Sequence, residues 1–428
     1  MTGDTGLLTD HYELTMLQAA LRDGTADRRC VFEVFTRRLP EGRRYGVVAG
    51  TGRLLSAIPH FRYDDEVLAG LRSSGVVDEA TCRWLADYRF AGDITGYAEG
   101  EVYLPGSPIL TVEGTFAEAV LLETLALSVL NHDSAVASAA ARMAHAAGAR
   151  PCIEMGSRRT HEESAVAAAR AAYLAGFATT SNLAAGRRYG VPTAGTAAHS
   201  WTLLHEHEGD AFRAQVEALG VGTTLLVDTY DIAAGIATAI EVAGPELGAV
   251  RIDSGDLAVL AHQTREQLDA LGAYKTRIVL SGDLDEFALA ALATAPVDAY
   301  GVGTAVVTGS GAPAAGFVYK LVEVEGRAVA KRSEDKSTRG GRKTAVRRHR
   351  STGTATEEVV RAQGEPSARA GDRALQHPMV RGGTLLDVPT LDASREHLRQ
   401  VLTTLPWQGL ALSKGEPAIP TTYEEPPR

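Results

Sequence analysis

Beyond Pro151 the chain alternates short apolar runs with longer amphipathic stretches. The runs are Cys152–Met155, Val191–Thr196, Thr223–Val227, Ala249–Ile252, Arg277–Leu280 and Val297–Val302, each with the length expected of a buried strand. Helices are predicted between them over 160–175, 230–242, 257–271 and 285–293, the first opened by Thr160-His-Glu-Glu163 as a capping box. Such alternation implies a parallel sheet with right-handed crossovers. Polar residues recur just past the runs: Gly156-Ser-Arg-Arg159, His199-Ser200, Asp228, Asp253-Ser-Gly-Asp256, Ser281-Gly-Asp283 and Gly301-Val-Gly-Thr304. A βα-barrel and an open doubly wound sheet would both gather these residues at one edge, and periodicity alone does not separate the two.

The first third mixes α and β. The spacing predicts a helix over 12–21, a strand over 31–35, and a small β-rich region over 93–113, where short apolar runs alternate with Gly and Pro. Thr115-Phe-Ala-Glu118 has capping-box spacing and opens an Ala- and Leu-rich helical region, in two pieces, to about Ala147. The expected domains are therefore an N-terminal α/β domain over 1–115, an α/β catalytic domain over 116–325, and a C-terminal extension over 326–428. The extension opens with a basic run from Lys331 to Arg350, read as a solvated face or a local phosphate-attracting rim.

Composition narrows the function. A formal net charge of −10 disfavours binding to a nucleic-acid backbone, so an anionic substrate has to be met by a local Arg cluster or by backbone N–H groups. Cys30, Cys82 and Cys152 are scattered and form no CxxC pair, which fits a reducing compartment and argues against a zinc ribbon. The N-terminus lacks a signal pattern, and no apolar run approaches the ~20 residues of a membrane span. A cytoplasmic protein without membrane or nucleic-acid partners is expected.

Each candidate motif carries a chemical reading beside a plainer one. Asp253 and Asp256 flank a Gly at a strand end and suit Mg²⁺ or sugar hydroxyls; Asp256 or Ser254 could equally cap the next helix. Arg158 and Arg159 offer bidentate donors to phosphate, or form a surface pair with acids such as Glu162 and Glu163. Gly301 and Gly303 allow an anion close to the backbone, with Thr304 adding a hydroxyl, or simply make a tight turn. His199 ends a stretch of small residues that leaves room for a ligand, although an isolated His is more often structural. His205-Glu-His207-Glu208 reads as a solvated loop, since the two imidazoles would diverge on a helix.

Taken in order, Gly-Ser-Arg-Arg, Ala-Gly-Thr-x-Ala-His-Ser, Val-Asp-Thr-Tyr-Asp, Arg-x-Asp-Ser-Gly-Asp and Gly-Val-Gly-Thr resemble the nicotinate phosphoribosyltransferases. The likeness runs from Thr9-Asp-His-Tyr-Glu-Leu-Thr-Met16 to Phe317-Val-Tyr-Lys320 and Ser333-Glu-Asp-Lys336. It implies an incomplete α/β barrel of the type II phosphoribosyltransferase kind, with an N-terminal α/β domain completed by the C-terminal segment. It also implies a homodimer with shared active sites. The implied reaction converts nicotinate and phosphoribosyl diphosphate to nicotinate mononucleotide and diphosphate, a step of NAD biosynthesis, with Mg²⁺ as cofactor and ATP as co-substrate.

The resemblance also implies residue roles. Arg251 would pair with the nicotinate carboxylate, with Thr196 nearby and Tyr12, lent by the neighbouring subunit, stacking on the ring. Asp228 would set the ring's position, and Asp253 and Asp256 would meet ribose hydroxyls or Mg²⁺. Arg158, Gly303 and Thr304 would hold phosphate groups, Ser200, Ser281 and Gly282 would contact substrate, and His199 would be phosphorylated by ATP. Met155 stands where relatives often place a Phe that sandwiches the ring. Ser181 is neutral where nicotinamide-using relatives carry an Asp, which favours nicotinate. The rival readings are a nicotinamide or quinolinate enzyme of the same fold, and a non-catalytic barrel that binds a phosphorylated metabolite.

Overall fold

The computed structural model describes residues 5–331, 339–367 and 369–424. The Ser333-Glu-Asp-Lys336 motif and the terminal Pro426-Pro427-Arg428 lie outside the described residues. The chain divides into two compact units, one built from the described residues up to Ser138 and from Ala312 onward, the other being Ala139–Gly311. The first boundary therefore falls later than the residue 115 that the capping box suggests. Thr115 and Glu118 do form that box, but the helices they introduce, Phe116–Val120 and Glu123–Ala147, bury Val120, Leu121, Leu125 and Val129 in the core of the N-terminal unit. The second boundary falls earlier than residue 325, because Phe317–Val324 pairs antiparallel with Arg29–Thr36.

In the N-terminal unit an antiparallel sheet runs in the order Arg327–Ala328, Phe317–Val324, Arg29–Thr36, Leu110–Thr115, Asp93–Tyr97, Gln376–Arg381, Thr384–Leu385. The expected first helix spans His11–Asp23, closed by Gly24 at φ 76°, and buries Leu14 and Leu17. Phe32 stacks on Tyr319 across neighbouring strands, with ring centroids 4.9 Å apart. The segment after residue 325 is not a loose extension. Lys343–His349 and Ala355–Ala362 pair in a second sheet, completed by Arg373–Ala374 and Thr421–Glu424. Within the basic run, Lys343, Arg347 and Arg348 do not form a solvated face, since they are buried and paired with carboxylates. Alternating charged residues read as solvated because nothing local reveals the acids that wait on distant strands.

The second unit contains a parallel sheet ordered Thr179–Thr180, Cys152–Glu154, Ala299–Val302, Arg277–Gly282, Ala249–Ile252, Thr224–Leu226. Every strand but Thr179–Thr180 neighbours its successor in the chain, and Cys152–Glu154, the first, pairs with Ala299–Val302, the last, as in a barrel. One pairing is missing: Thr179–Thr180 and Thr224–Leu226 do not meet in the sheet order. The result is an incomplete α/β barrel rather than a doubly wound sheet, whose strand order would reverse at a switch point.

Five of the six predicted runs are strands of this sheet. Val191–Thr196 is not, and touches it only through a bridge from Thr193 to Thr180. The strand at Thr179–Thr180 is too short to carry a periodic signal. Helix Glu162–Leu174 forms without the expected capping box, as its N-cap is His161 and Glu163 pairs with Arg188. Glu208 opens a helix, Glu208–Leu219, instead of lying in a loop. Among the described residues no helix is long and apolar enough to cross a membrane.

Candidate active site at the mouth of the barrel

The C-terminal ends of the barrel strands enclose a cavity of about 220 Å³ lined by Met155, Arg158, Arg159, Arg251, Asp253, Ser281, Gly282, Asp283, Gly301, Gly303 and Thr304. Motifs separated by well over a hundred residues thus meet at one rim, because parallel strands present their C-terminal ends together.

Arg251 is the fixed point of this rim. It lies in strand Ala249–Ile252 and is buried. Its Nε donates to Ser281 Oγ (2.7 Å), Nη1 to Thr196 Oγ1 (3.0 Å) and Nη2 to Asp253 Oδ1 (3.0 Å). The Ser281 hydroxyl donates to the same Asp253 oxygen. Burial by itself would raise the Asp253 pKa, but the Ser281 hydroxyl and the Arg251 guanidinium outweigh it and hold the carboxyl below its ordinary value. The guanidinium plane is therefore locked, with its charge only partly offset.

Asp228 follows strand Thr224–Leu226 and is buried. Its Oδ2 accepts from the Asp253 backbone N–H and the Ser254 hydroxyl, each at 2.8 Å, which ties it to the Arg251 cluster. Its Oδ1 is buried without a hydrogen-bond partner among the described residues and lies 3.9 Å from His199 Nε2. The other imidazole nitrogen, Nδ1, is 3.1 Å from Thr229 Oγ1. His199 begins a short helix and leaves two-fifths of its side chain exposed, so it is oriented from behind and reachable from the front.

The paired arginines do not follow the plainer reading. Glu163 is taken by Arg188 at 2.7 Å and Glu162 by His161, and among the described residues no carboxylate forms an ion pair with Arg158 or Arg159. Both arginines are exposed on the turn after strand Cys152–Glu154 and border the cavity. Met155 lies across Gly301, where an added Cβ would stand 2.7 Å from the Met sulfur, so the glycine lets the thioether form part of the cavity wall. Gly282, at φ 130°, turns the chain in a conformation that side chains rarely adopt, directly beside the Asp253 carbonyl.

Other expected residues stand apart from the cavity. Asp256 is exposed and accepts from Val259 N–H as the N-cap of helix Leu257–Ala270, the plainer reading of that motif. With Asp253 engaged by Arg251 and Ser281, the two carboxylates do not form a cage for a resident Mg²⁺. Ser181 and Ser200 are exposed and do not line the cavity. Tyr12 belongs to the N-terminal unit, on helix His11–Asp23, and is 43% exposed.

Sequence reasoning gave no role to Asp283, which borders the cavity, nor to Thr229 behind His199 or to the buried Glu154. A carboxylate closing an apolar run was the one signal for Glu154. A larger cavity, about 450 Å³, lies within the N-terminal unit, but two of its cationic lining residues, Arg373 and His397, are both bonded to Glu101. The barrel mouth is the better candidate because its arginines retain donors.

Comparison with known proteins agrees with this geometry. Residues 7–131 match the nicotinate phosphoribosyltransferase N-terminal domain and residues 151–361 the nicotinate phosphoribosyltransferase family. The chain is 64% identical over 425 residues to the nicotinate phosphoribosyltransferase pncB1 of Mycobacterium tuberculosis, covering 97% of this chain and 94% of that protein. It is 36% identical to the nicotinate phosphoribosyltransferase of Bacillus subtilis, over 74% of this chain and 67% of that one. The crystal structure of human nicotinic acid phosphoribosyltransferase superposes with a TM-score of 0.84 over 97% of both chains, at 27% identity. On sequence, fold and the convergence of motifs at the barrel mouth, the chain belongs to the nicotinate phosphoribosyltransferase family.

Proposed function

We propose that this chain transfers the phosphoribosyl group of phosphoribosyl diphosphate to nicotinate, giving nicotinate mononucleotide and diphosphate for NAD biosynthesis. The observation that carries the reading is a buried, rigidly bonded Arg251 sharing a cavity with two arginines that have no acidic partner among the described residues. One guanidinium suits a planar aromatic carboxylate, and the pair suits phosphate groups.

In this reading the ribose C1–oxygen bond breaks, the diphosphate leaves with the bonding pair, and the pyridine nitrogen forms the new bond to C1. The nitrogen already has a lone pair, so no base is needed to activate it. Asp253 and Asp228 would stabilise the positive charge that develops on the sugar. Arg158, Gly303 and Thr304 hold phosphate groups, and Mg²⁺ bound to the diphosphate would neutralise the leaving group's charge as part of the substrate. Met155 packs on the ring face, and the neutral Ser181 favours nicotinate over nicotinamide.

His199 is the proposed phosphoryl acceptor from ATP, held by Thr229 at one nitrogen and near the unpartnered Asp228 oxygen at the other. The exposed Tyr12 fits a residue lent across a homodimer, and a cytoplasmic location fits the chemistry.

The test is turnover of nicotinate, nicotinamide and quinolinate with phosphoribosyl diphosphate, with and without Mg·ATP. Nicotinate mononucleotide and diphosphate should form in equal amounts, stimulated by ATP. His199→Ala should abolish ATP hydrolysis and the stimulation while leaving slow transfer. Release of no diphosphate with any acceptor would favour the non-catalytic barrel.

A further inference from the structure

Glu154 closes strand Cys152–Glu154 at 1% exposure, and it is buried without a cationic partner among the described residues. A lone buried carboxylate is expensive unless hydrogen bonds satisfy it. Here the two oxygens serve different segments. Oε1 accepts from the Gly156 backbone N–H and Oε2 from the Thr180 hydroxyl. Thr180 Oγ1 in turn accepts from Asn182 N–H at 3.0 Å, which directs its hydrogen toward Glu154. Asn182 Nδ2 donates to Ser157 Oγ at 3.0 Å and closes the circuit back onto the arginine turn. The main chain adds a further tie, Ser181 N–H to the Glu154 carbonyl at 2.8 Å.

Gly156 is wedged into this arrangement. A Cβ there would lie 2.9 Å from Glu154 Oε1, 2.9 Å from the Gly303 carbonyl and 2.2 Å from Val307. The carboxylate therefore meets one segment proposed to hold phosphate, Gly156–Arg159, at the point where it packs on the other, Gly303–Thr304.

We propose that Glu154 is a positioning residue for phosphoribosyl diphosphate: its two carboxylate oxygens fix the Gly156–Arg159 turn against the Thr180–Asn182 turn, so that Arg158 and Arg159 face the cavity. The inference rests on the proposed reading of Arg158 as a phosphate-holding residue. An acceptor at both oxygens is what the site demands, because both partners are donors. A glutamine keeps the shape but presents an amide N–H₂ to one of them. Burial raises the Glu154 pKa, and the Thr180 and Gly156 bonds offset part of that rise, in keeping with a group held by hydrogen bonds alone.

The test is steady-state kinetics on the full chain. Glu154→Gln and Thr180→Val are each expected to raise KM for phosphoribosyl diphosphate about tenfold, the scale of one misdirected buried hydrogen bond, while kcat and KM for nicotinate stay within about twofold. Thr180→Ser, which keeps the hydroxyl, should restore the wild-type KM. The double variant Glu154→Gln/Thr180→Val should be no worse than the poorer single one, since both break one circuit. Unchanged KM for phosphoribosyl diphosphate, a loss confined to kcat, or additive effects would overturn the proposal. If Glu154→Gln does not fold, as judged by circular dichroism, the Thr180 pair decides alone. Arg158→Ala run in parallel separates the two failures. If it leaves KM for phosphoribosyl diphosphate unmoved, the reading of the turn falls; if it raises KM while the Glu154 and Thr180 variants do not, only the positioning role falls.

Discussion

Arg347 in the N-terminal unit and Arg251 at the barrel mouth are both buried arginines at strand positions, yet their surroundings differ in kind. Arg347 is 0% exposed and donates to Glu101 and Glu358, each at 2.6 Å, and to the Val102 carbonyl at 2.8 Å. Its acids are saturated in turn: Glu101 takes Arg373 and His397, and Glu358 takes Tyr97 and Ser107. Burial alone would raise the Glu101 pKa, but Arg347, His397 and Arg373 drive it far below the carboxylate range. Arg251 has one carboxylate and two hydroxyls, and opens on a cavity whose other arginines lack acidic partners among the described residues. A charge-balanced cluster joins strands, whereas a cluster facing a cavity whose other arginines keep free donors can accept an anion. Burial of an arginine is therefore uninformative about function until its donors and partner charges are counted.

The largest expected effect comes from the closed cluster. Arg347→Met leaves Glu101 and Glu358 short of a buried cation and should destabilise the fold by about 3–5 kcal/mol, read as a drop in thermal midpoint or loss of folded protein. A variant with a wild-type midpoint but impaired substrate binding would erase the contrast.

Arg251→Ala should act the other way round. The expected loss is roughly 100-fold in kcat/KM for nicotinate, about 2.7 kcal/mol, with the melting midpoint little changed. An equal loss with nicotinamide as acceptor would contradict a carboxylate partner. Arg158→Ala comes next, with KM for phosphoribosyl diphosphate rising about tenfold and KM for nicotinate holding steady.

The smallest effect sharpens the contrast inside the N-terminal unit. Glu13 is fully buried and bonded to Thr124 and Thr9 without a guanidinium, and burial pushes its pKa up to about 7, against the depressed value of arginine-bound Glu101. A raised folded pKa means the folded state holds the proton more tightly. The stabilisation is full below the unfolded value of about 4.3 and is lost as pH rises through about 7. Glu13→Gln should flatten that part of the stability-versus-pH curve, measured by denaturant midpoints. An unchanged slope would show that Glu13 is ionised throughout.

The barrel was legible where a strand was long enough to be apolar. Ala249–Ile252 and Arg277–Gly282 match their predicted runs within a residue or two, and the Thr115 capping box stands where its spacing put it. The two-residue strand Thr179–Thr180 was not legible, because pairing beside Cys152–Glu154 and not composition makes it a strand. Of the site, the residues that end strands were found together. Asp256, which the sequence leaves open between a ligand and a cap, serves as a helix cap. Glu154 went without a role, since its importance lies in partners that belong to another turn.

The sequence by itself determined the alternation of strand and helix, the order of the motifs and their chemical types, because these follow from local periodicity and side-chain chemistry. Only the tertiary structure decided that the sheet neighbours run as in a barrel with one pairing unmade. It also decided which arginines are neutralised by acids hundreds of residues away and which keep donors for a ligand. Charge balance at a buried site is a sum over elements brought together by folding, and no stretch of chain contains that sum.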